Sequence, residues 1–189
     1  MRNRPMNRAV FLDRDGVIIQ EPPHYAHTPD QMRLIPGTKE AIRLLNENDF
    51  KVIIVTNQAG VAKGYYTEED VISFNQLMKE ELELYNAKID AILYCCHNPE
   101  AKVERYRKDC DCRKPKPGMI KRAEKELNID LNLSYMIGDK KSDIDAGKNA
   151  GCKTMLVLTG YGTEELKRYD IECDYITKDL YNAVINILS

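Results

Sequence analysis

The chain has no tryptophan, almost no net charge and no long apolar run. Its 189 residues include 28 Lys and Arg against 30 Asp and Glu, so no global field attracts nucleic acid or an anionic membrane. Single-stranded nucleic acid also needs aromatic stacking platforms beside a basic groove, which a near-neutral chain without tryptophan supplies poorly. No apolar segment approaches the roughly 20 residues of a membrane span. We therefore expect no nucleic-acid partner and no membrane partner, and a bound anion needs a local site.

The length of the chain suits one well-filled hydrophobic core. With 189 residues, 43% of them hydrophobic, the chain is large enough for one domain and too short for two. We expect a basic N-terminal tail over residues 1–8, followed by a single domain over residues 9–189. The apolar run after the tail breaks at Asp13, too early for a secretory signal. We expect the protein to be a monomer.

The cysteines are clustered instead of being spread along the chain. Of the six, only Cys152 and Cys173 lie outside one short segment, and each borders a predicted strand, as a core residue would. A disulfide framework spaces its cysteines more widely, so the clustering favours metal binding in a reducing compartment. We therefore expect a cytoplasmic location.

The cysteine-rich segment, residues 95–112, carries metal-ligand pairs at both of its ends. Four soft or borderline ligands there match a tetrahedral zinc site: Cys95, His97, Cys110 and Cys112. A set of four leaves no open position for catalysis, so we predict a structural Zn²⁺ that organises this zinc loop. Two alternatives stay open. Cys96 could replace Cys95 as a ligand, or the cysteines could be small apolar residues at the end of a strand.

Apolar runs of strand length alternate with helical patterns along the chain. Strands are predicted at residues 10–12, 51–55, 89–94, 134–137, 153–158 and 174–176. Helices are predicted after Pro36-Gly37-Thr38, after a capping box at Thr67-Glu68-Glu69-Asp70, and at residues 118–127, 143–150 and 180–188. This alternation predicts an α/β fold, a Rossmann-like parallel sheet in three layers with helices on both faces.

Polar residues follow three of the predicted strands at the point where each strand ends. Asp13 and Asp15 follow the first strand, Thr56 and Asn57 follow the second, and Asp139 and Asp143 follow a later one. In a parallel sheet these positions share one edge. Converging carboxylates repel one another unless a cation lies between them, so they predict a Mg²⁺ site with oxygen ligands. Lys114 beside that ion would bind a phosphate group. For the first aspartate pair alone, a solvated turn is the alternative.

Four motifs occur in the order and at the spacings of a known superfamily. They are Asp13-Arg14-Asp15-Gly16-Val17, Thr56-Asn57-Gln58, Lys114-Pro115 and Gly138-Asp139-Lys140-x-x-Asp143. Together they resemble the haloacid dehalogenase-like phosphohydrolases over nearly the whole chain. The resemblance implies that Asp13 is a nucleophile that becomes an aspartyl phosphate, and that Asp15 protonates the leaving alkoxide and then activates water. It also implies that Thr56 and Lys114 bind phosphoryl oxygens, and that Asp13, Asp139 and the backbone carbonyl of Asp15 hold Mg²⁺.

Further motifs narrow the resemblance. The run from Thr56 to Gly64, the Cys-x-His pair and Cys-x-Cys-Arg-Lys-Pro look like the D-glycero-D-manno-heptose 1,7-bisphosphate 7-phosphatase family, with histidinol-phosphate phosphatases as close relatives. The resemblance implies magnesium-dependent removal of the carbon-7 phosphate from a small sugar bisphosphate, on the way to nucleotide-activated heptose for lipopolysaccharide or another bacterial surface glycan. The alternatives are a phosphatase of histidinol phosphate or another small phosphomonoester, and a zinc-ribbon or receiver-like binding module.

Loops are expected to enclose the substrate in place of a separate cap domain, because core elements and the zinc loop fill the intervals between the motifs. The expected substrate contacts are Asn57, Arg113, Lys140, His24 and Tyr25, with Lys63 as a further cation. For His24 and Tyr25, a solvated turn is an equally good interpretation. For Asp143, support of the metal site and capping of the following helix are equally good.

Overall fold

The first strand, β1 (Arg8–Leu12), lies inside a sheet of six parallel strands, in the order β3-β2-β1-β4-β5-β6. The computed structural model describes residues 6–21 and 25–189, so the predicted contact at His24 lies outside the described residues. The other strands are β2 (Phe50–Asn57), β3 (Ala91–Cys95), β4 (Tyr135–Gly138), β5 (Lys153–Val157) and β6 (Tyr175–Thr177). The helices are α1 (Thr38–Glu47), α2 (Ala59–Lys63), α3 (Glu68–Glu83), α4 (Gly118–Leu127), α5 (Lys141–Ala150), α6 (Gly162–Arg168) and α7 (Leu180–Leu188).

Alternate residues of β1 are buried on opposite faces of the sheet. Val10 and Leu12 lie in an apolar cluster with residues of α1, α3 and α7. Ala9 and Phe11 lie in a second cluster with residues of α4 and α5. A strand that is covered on both faces must be apolar at every position, as a parallel sheet requires. The predicted α/β fold with helices on both faces is confirmed.

The local signals in the sequence place most elements within a residue or two. Thr67 caps α3, accepting a hydrogen bond from the Asp70 backbone nitrogen at 3.1 Å, while the Asp70 carboxylate accepts one from the Thr67 nitrogen at 2.7 Å. The sequence pattern misses α2 and α6. Both are too short for apolar periodicity to show, and Gly162 is the one buried residue of α6.

The start of the sheet includes part of the segment expected to be a tail. The Asn7 backbone nitrogen donates to the carbonyl of Asn128 at 2.8 Å, and the Asn7 carbonyl accepts from Asp130 at 2.8 Å. Arg8 is the first residue of β1, and its guanidinium lies 4.3 Å from the centroid of the Phe50 ring.

The zinc loop leaves β3 and packs against α2. The Ala62 carbonyl accepts hydrogen bonds from the backbone nitrogens of Lys102, at 2.9 Å, and Val103, at 3.1 Å. The carboxylate of Glu68 accepts one from the hydroxyl of Tyr94, in β3, at 3.1 Å and one from Tyr106, in the loop, at 3.0 Å. None of the described residues forms a separate cap domain. Among the helices that the structure describes, none has the length and apolar character needed to span a membrane.

Candidate active site

The carboxyl ends of β1, β2 and β4 meet at a cavity of about 240 Å³. Of the polar residues predicted at these strand ends, Asp13, Asp15, Asn57 and Asp143 line the cavity, whereas Thr56 and Asp139 are buried and do not line it. Eleven residues line the cavity: Asp13, Asp15, Glu21, Tyr25, Asn57, Ala59, Arg113, Lys114, Lys140, Ser142 and Asp143. Ligands of open parallel sheets bind beyond the carboxyl ends of the strands, at the point where the strand order reverses. In this sheet the order reverses next to β1.

Asp13 follows β1 directly and is buried. Its Oδ1 accepts a hydrogen bond from the Arg14 backbone nitrogen at 2.8 Å and lies 2.9 Å from Lys114 Nζ. Burial opposes ionisation of this carboxyl group, but the positive charges of Lys114 and Lys140 outweigh burial and lower its pKa. Asp13 is therefore an ionised carboxylate at the base of the cavity, as a nucleophile requires.

Lys114 is a buried cation between two carboxylates. Its Nζ lies 2.9 Å from Asp13 Oδ1 and 2.7 Å from Asp143 Oδ1, and it donates to the Val55 carbonyl at 2.7 Å. Burial disfavours the charged amine, but the two carboxylates raise its pKa. The Asn57 side chain fixes the Lys114 backbone at both ends, donating to its carbonyl at 3.0 Å and accepting from its nitrogen at 3.1 Å. Asn57 thus lines the cavity, and its side-chain amide forms hydrogen bonds with the backbone of Lys114.

Asp139 and Asp143 complete a cluster of buried carboxylates with Asp13. One carboxylate oxygen of each lies within 4.8 Å of the others. Asp139 Oδ2 accepts from the Tyr161 nitrogen at 2.8 Å, whereas Asp139 Oδ1 is buried without a hydrogen-bond partner. Burial, together with the charges of Asp143 and Asp13, raises the pKa of Asp139 to about 8. An orphaned oxygen in an all-oxygen cluster fits a hard divalent cation.

Asp143 caps the following helix, which is one of the two roles expected from its position, and support of a metal site stays a prediction. Its Oδ2 accepts from the Lys140 backbone nitrogen at 3.0 Å and so caps α5, while its Oδ1 faces Lys114. Two glycines allow the close packing around the cluster. A Cβ on Gly16, which has a φ of 85°, or on Gly160 would collide with the Asp139 carboxylate.

Lys140 and Glu21 form an ion pair at one side of the cavity, with Nζ 2.8 Å from Glu21 Oε2. Burial opposes the charge of Lys140, but the carboxylates of Asp139, Asp13 and Glu21 raise its pKa. Burial raises the pKa of Glu21. Sequence reasoning missed Glu21, because 119 positions separate the two partners and a lone glutamate in a loop carries no local signal.

Arg113 and Tyr25 also line the cavity, and Lys63 contacts Tyr25. Arg113 lines the cavity and donates from Nη1 to the His97 carbonyl at 3.2 Å. Lys63 Nζ donates to the Tyr25 hydroxyl at 2.8 Å. Tyr25 has a φ of 55°, which a tyrosine adopts only when its surroundings hold it there, and its ring lies 5.8 Å from that of Tyr65. Arg113 and the Tyr25 side chain thus line the cavity, and Lys63 is held next to Tyr25.

Asp15 is held by a hydrogen-bond network that sequence reasoning did not find. The guanidinium of Arg14, 1% exposed, donates from Nη2 to Asp15 Oδ1 at 3.0 Å, to the Ala26 carbonyl at 2.9 Å and to Gln58 Oε1 at 3.1 Å. Its Nη1 donates to Asn75 Oδ1 at 3.0 Å. The one feature of the sequence that indicates this network is the position of Arg14, which lies between Asp13 and Asp15 directly after an apolar strand.

The predicted zinc ligands converge in the zinc loop. The Sγ atoms of Cys110 and Cys112 lie 3.0 Å apart, and those of Cys112 and Cys95 lie 3.0 Å apart. His97 Nδ1 lies 3.5 Å from Cys112 Sγ and 4.0 Å from Cys95 Sγ. Ligands about 2.3 Å from a tetrahedral ion are roughly 3.8 Å apart, a comparable spacing. Cys96 points elsewhere, into an apolar cluster with Val61 and Tyr106.

The fold and this carboxylate-lysine site define a haloacid dehalogenase-like hydrolase. A family model described as Haloacid dehalogenase-like hydrolase matches residues 10–99, and one described as HAD-hydrolase-like matches residues 111–183.

Individual relatives narrow this class. The chain is 46% identical over 157 residues to the D-glycero-beta-D-manno-heptose-1,7-bisphosphate 7-phosphatase of Pasteurella multocida, covering 82% of this chain and 84% of that protein. It is 43% identical over 155 residues to the Escherichia coli protein of the same name, covering 80% of each. The crystal structure of D,D-heptose 1,7-bisphosphate phosphatase from B. bronchiseptica, complexed with magnesium and phosphate, superposes with a TM-score of 0.87 at 31% identity, over 96% of this chain and 98% of that one. The chain belongs to the heptose-1,7-bisphosphate 7-phosphatase family of haloacid dehalogenase-like hydrolases.

Proposed function

We propose that this protein hydrolyses the carbon-7 phosphate of D-glycero-D-manno-heptose 1,7-bisphosphate, a step towards nucleotide-activated heptose for surface glycans. The observation that carries the proposal is the pairing of an ionised Asp13 with buried Lys114, 2.9 Å apart, at the base of a cavity that only a small ligand can enter. The names of the relatives at 46% and 43% identity support the substrate.

The reaction divides into two transfers at phosphorus. Asp13 attacks the phosphorus atom, the bond from phosphorus to the sugar oxygen breaks, and Asp15 gives that oxygen a proton. Asp15 then takes a proton from water as the water attacks the aspartyl phosphate, which releases inorganic phosphate and restores both residues. Lys114 and the Thr56 hydroxyl bind the phosphoryl oxygens and stabilise the charge that develops on them.

The carboxylate cluster fits Mg²⁺, which would be held by Asp13, Asp139 and the backbone carbonyl of Asp15. The unpartnered buried Oδ1 of Asp139 and the raised pKa of this carboxyl group, about 8, support a cation there. When bound, the ion would neutralise charge on the phosphoryl group.

The Cys3His cluster fits a structural Zn²⁺ held by Cys95, His97, Cys110 and Cys112. All four positions of a tetrahedral ion would be filled, so no open position is left for catalysis. The loop leads directly into Arg113 and Lys114, and Arg113 donates back to the His97 carbonyl. A bound ion would therefore fix the segment that supplies the phosphate-binding lysine.

We expect Cys110→Ser to lower the zinc content of the purified protein well below one ion per chain and to lower its melting temperature, because the serine hydroxyl is a poor zinc ligand. Elemental analysis and thermal unfolding measure both effects. Cys96→Ser is the matched control, since Cys96 packs among apolar side chains and should retain zinc. Zinc loss in Cys96→Ser alone would move the ligand assignment from Cys95 to Cys96.

The position of the cations supports the choice of the carbon-7 phosphate. An exocyclic primary phosphate projects further from the sugar ring than the anomeric phosphate, so it reaches Asp13 while the anomeric phosphate stays near the mouth. Arg113 is the first candidate to bind the anomeric phosphate there, and Lys63 is the last.

We expect Arg113→Ala to raise the KM for the heptose 1,7-bisphosphate by about 10-fold or more and to change that for a simple primary phosphate much less, because the lost contact is to a remote group. Steady-state kinetics on both substrates measure the split, with histidinol phosphate as a competing substrate and phosphorus NMR to identify the product. Arg122→Ala, on the exposed face of α4, is the control. Equal losses on both substrates contradict the anchoring role, and a heptose 7-phosphate product contradicts the choice of phosphate.

A further inference from the structure

Gln58 is a buried amide that uses both of its donors and both lone pairs of its oxygen. Its Nε2 donates to Asp15 Oδ2 at 3.0 Å and to Thr56 Oγ1 at 2.9 Å. Its Oε1 accepts from Arg14 Nη2 at 3.1 Å and from the Tyr66 hydroxyl at 2.9 Å. The side chain is 1% exposed, so water cannot replace any of these partners. One glutamine thus links the proposed acid-base residue with the proposed phosphate-binding hydroxyl.

The chemistry of the partners allows only one orientation of this amide. A guanidinium has donors and no acceptor, so the face of Gln58 next to Arg14 must be the oxygen. The nitrogen must then face Asp15 and Thr56. Arg14 is itself fixed by the Asn75 side chain and the Ala26 carbonyl, at 3.0 and 2.9 Å. The direction of each hydrogen bond of Gln58 therefore follows from the Arg14 guanidinium, which can donate but cannot accept.

This direction decides what the Thr56 hydroxyl can do. Because Oγ1 accepts from Gln58, its own proton is not used in that contact. Among the residues that the structure describes, Thr56 Oγ1 makes no second side-chain hydrogen bond. The hydroxyl proton therefore has no acceptor among the described side chains, and a phosphoryl oxygen bound next to Thr56 would be one.

We propose that Gln58 is a positioning residue that keeps the Thr56 hydroxyl available as a hydrogen-bond donor to the phosphoryl group. The proposal rests on the proposed function, in which Thr56 binds phosphoryl oxygens. Arg14 and Tyr66 fix the orientation of the Gln58 amide. The amide nitrogen then donates to a lone pair of Thr56 Oγ1, so the hydroxyl proton of Thr56 is left for the ligand. The same amide holds Asp15 at the edge of the cavity.

Replacing the amide by a carboxylate of the same shape reverses the contact. In Gln58→Glu the ionised side chain, paired with Arg14, offers only acceptors, so the Thr56 proton turns to the new carboxylate and away from the phosphoryl group. We expect the affinity for inorganic phosphate, measured by isothermal titration with the magnesium-loaded protein, to fall by about 10-fold or more. Gln76→Glu, an exposed glutamine on α3, is the control for the added charge and should bind phosphate as the unchanged protein does.

A variant without hydrogen-bonding groups separates positioning from a merely structural role. Gln58→Met preserves the length of the side chain and leaves the Thr56 proton unclaimed, so phosphate affinity should fall less than in Gln58→Glu. If Gln58 only filled space and satisfied Arg14 and Tyr66, the methionine variant would bind phosphate as weakly as the glutamate variant or more weakly. That order would overturn the proposal. Gln58→Met also supplies the test if the buried charge of Gln58→Glu prevents folding, because a 10-fold loss in the folded methionine variant overturns it as well.

Double variants identify the path of the effect. With Thr56→Val, which lacks the hydroxyl, adding Gln58→Glu should change phosphate affinity less than about 3-fold. With Asp15→Asn, which removes the repulsion between neighbouring carboxylates, adding Gln58→Glu should still cost about 10-fold. A full loss in the first background, or none in the second, would show that Gln58 does not act through Thr56. These experiments measure the binding of inorganic phosphate. If the protein does not hydrolyse the heptose bisphosphate, that result bears on the proposed function and not on the role of Gln58.

Discussion

Asp13→Asn is expected to lower phosphate release by at least about 1000-fold while the protein keeps its fold, because an amide of the same volume cannot attack phosphorus. Asp13 lies 2.9 Å and Asp143 lies 2.7 Å from Lys114 Nζ, so the lysine keeps the Asp143 carboxylate as a charged partner when Asp13 is replaced. Phosphate release from the heptose bisphosphate measures activity, and circular dichroism checks the fold.

The control for this experiment is Asp170→Asn, which makes the same chemical change at an exposed residue beyond α6 and should leave activity unaltered. Mass spectrometry of acid-quenched reactions should detect an added phosphoryl group in the unchanged protein and none in Asp13→Asn. Wild-type activity in Asp13→Asn would contradict the role of Asp13 as nucleophile.

Lys114→Met should destabilise the magnesium-free protein by roughly 3–5 kcal/mol, because it leaves buried carboxylates without their cation. The methionine side chain fills the space of the lysine stem, so lost packing adds little. Urea denaturation in magnesium-free buffer without a chelator measures the free energy of unfolding. Magnesium should restore part of the loss, since the ion supplies positive charge to the same carboxylates.

Lys116→Met is the matched control, two residues further along the chain. Lys116 pairs at 2.6 Å with Asp109, but both side chains are exposed, so the variant should unfold at nearly the same urea concentration as the unchanged protein. Adding Asp143→Asn to Lys114→Met should recover stability, because one buried charge fewer is left unpaired. Equal unfolding midpoints for the two lysine variants would contradict the buried ion-pair account.

Strand positions and the active-site edge could be predicted because their signals are local. The apolar residues of β1 and β2 fill continuous runs, and Thr67 and Asp70 carry a capping motif within four residues. Parallel strands place all their carboxyl ends together, so Asp13, Thr56 and Asp139 had to meet once the alternation of strands and helices was recognised.

The contacts that orient these residues depend on tertiary structure and had no such signal. Arg14 meets Asn75 across 61 positions of sequence, and Gln58 meets Arg14 across 44. Gln58 belongs to the Thr56-Asn57-Gln58 motif, but the motif does not show which side chains its amide contacts. Its partners become apparent only when β2, α3 and the turn after β1 are packed together.

The backbone pairing between the zinc loop and α2 would couple the proposed zinc binding to the proposed substrate binding. The carbonyl of Ala62 accepts from Lys102 and Val103, and the next residue, Lys63, donates to the hydroxyl of Tyr25, which lines the cavity. If Arg113 and Lys63 both bind the second phosphate of the substrate, the substrate would contact both of the paired segments, the zinc loop through Arg113 and α2 through Lys63. By thermodynamic linkage, if bound zinc raises the affinity for the ligand by some factor, the bound ligand raises the affinity for zinc by the same factor. An enzyme saturated with substrate would therefore bind its zinc more tightly than the enzyme without substrate.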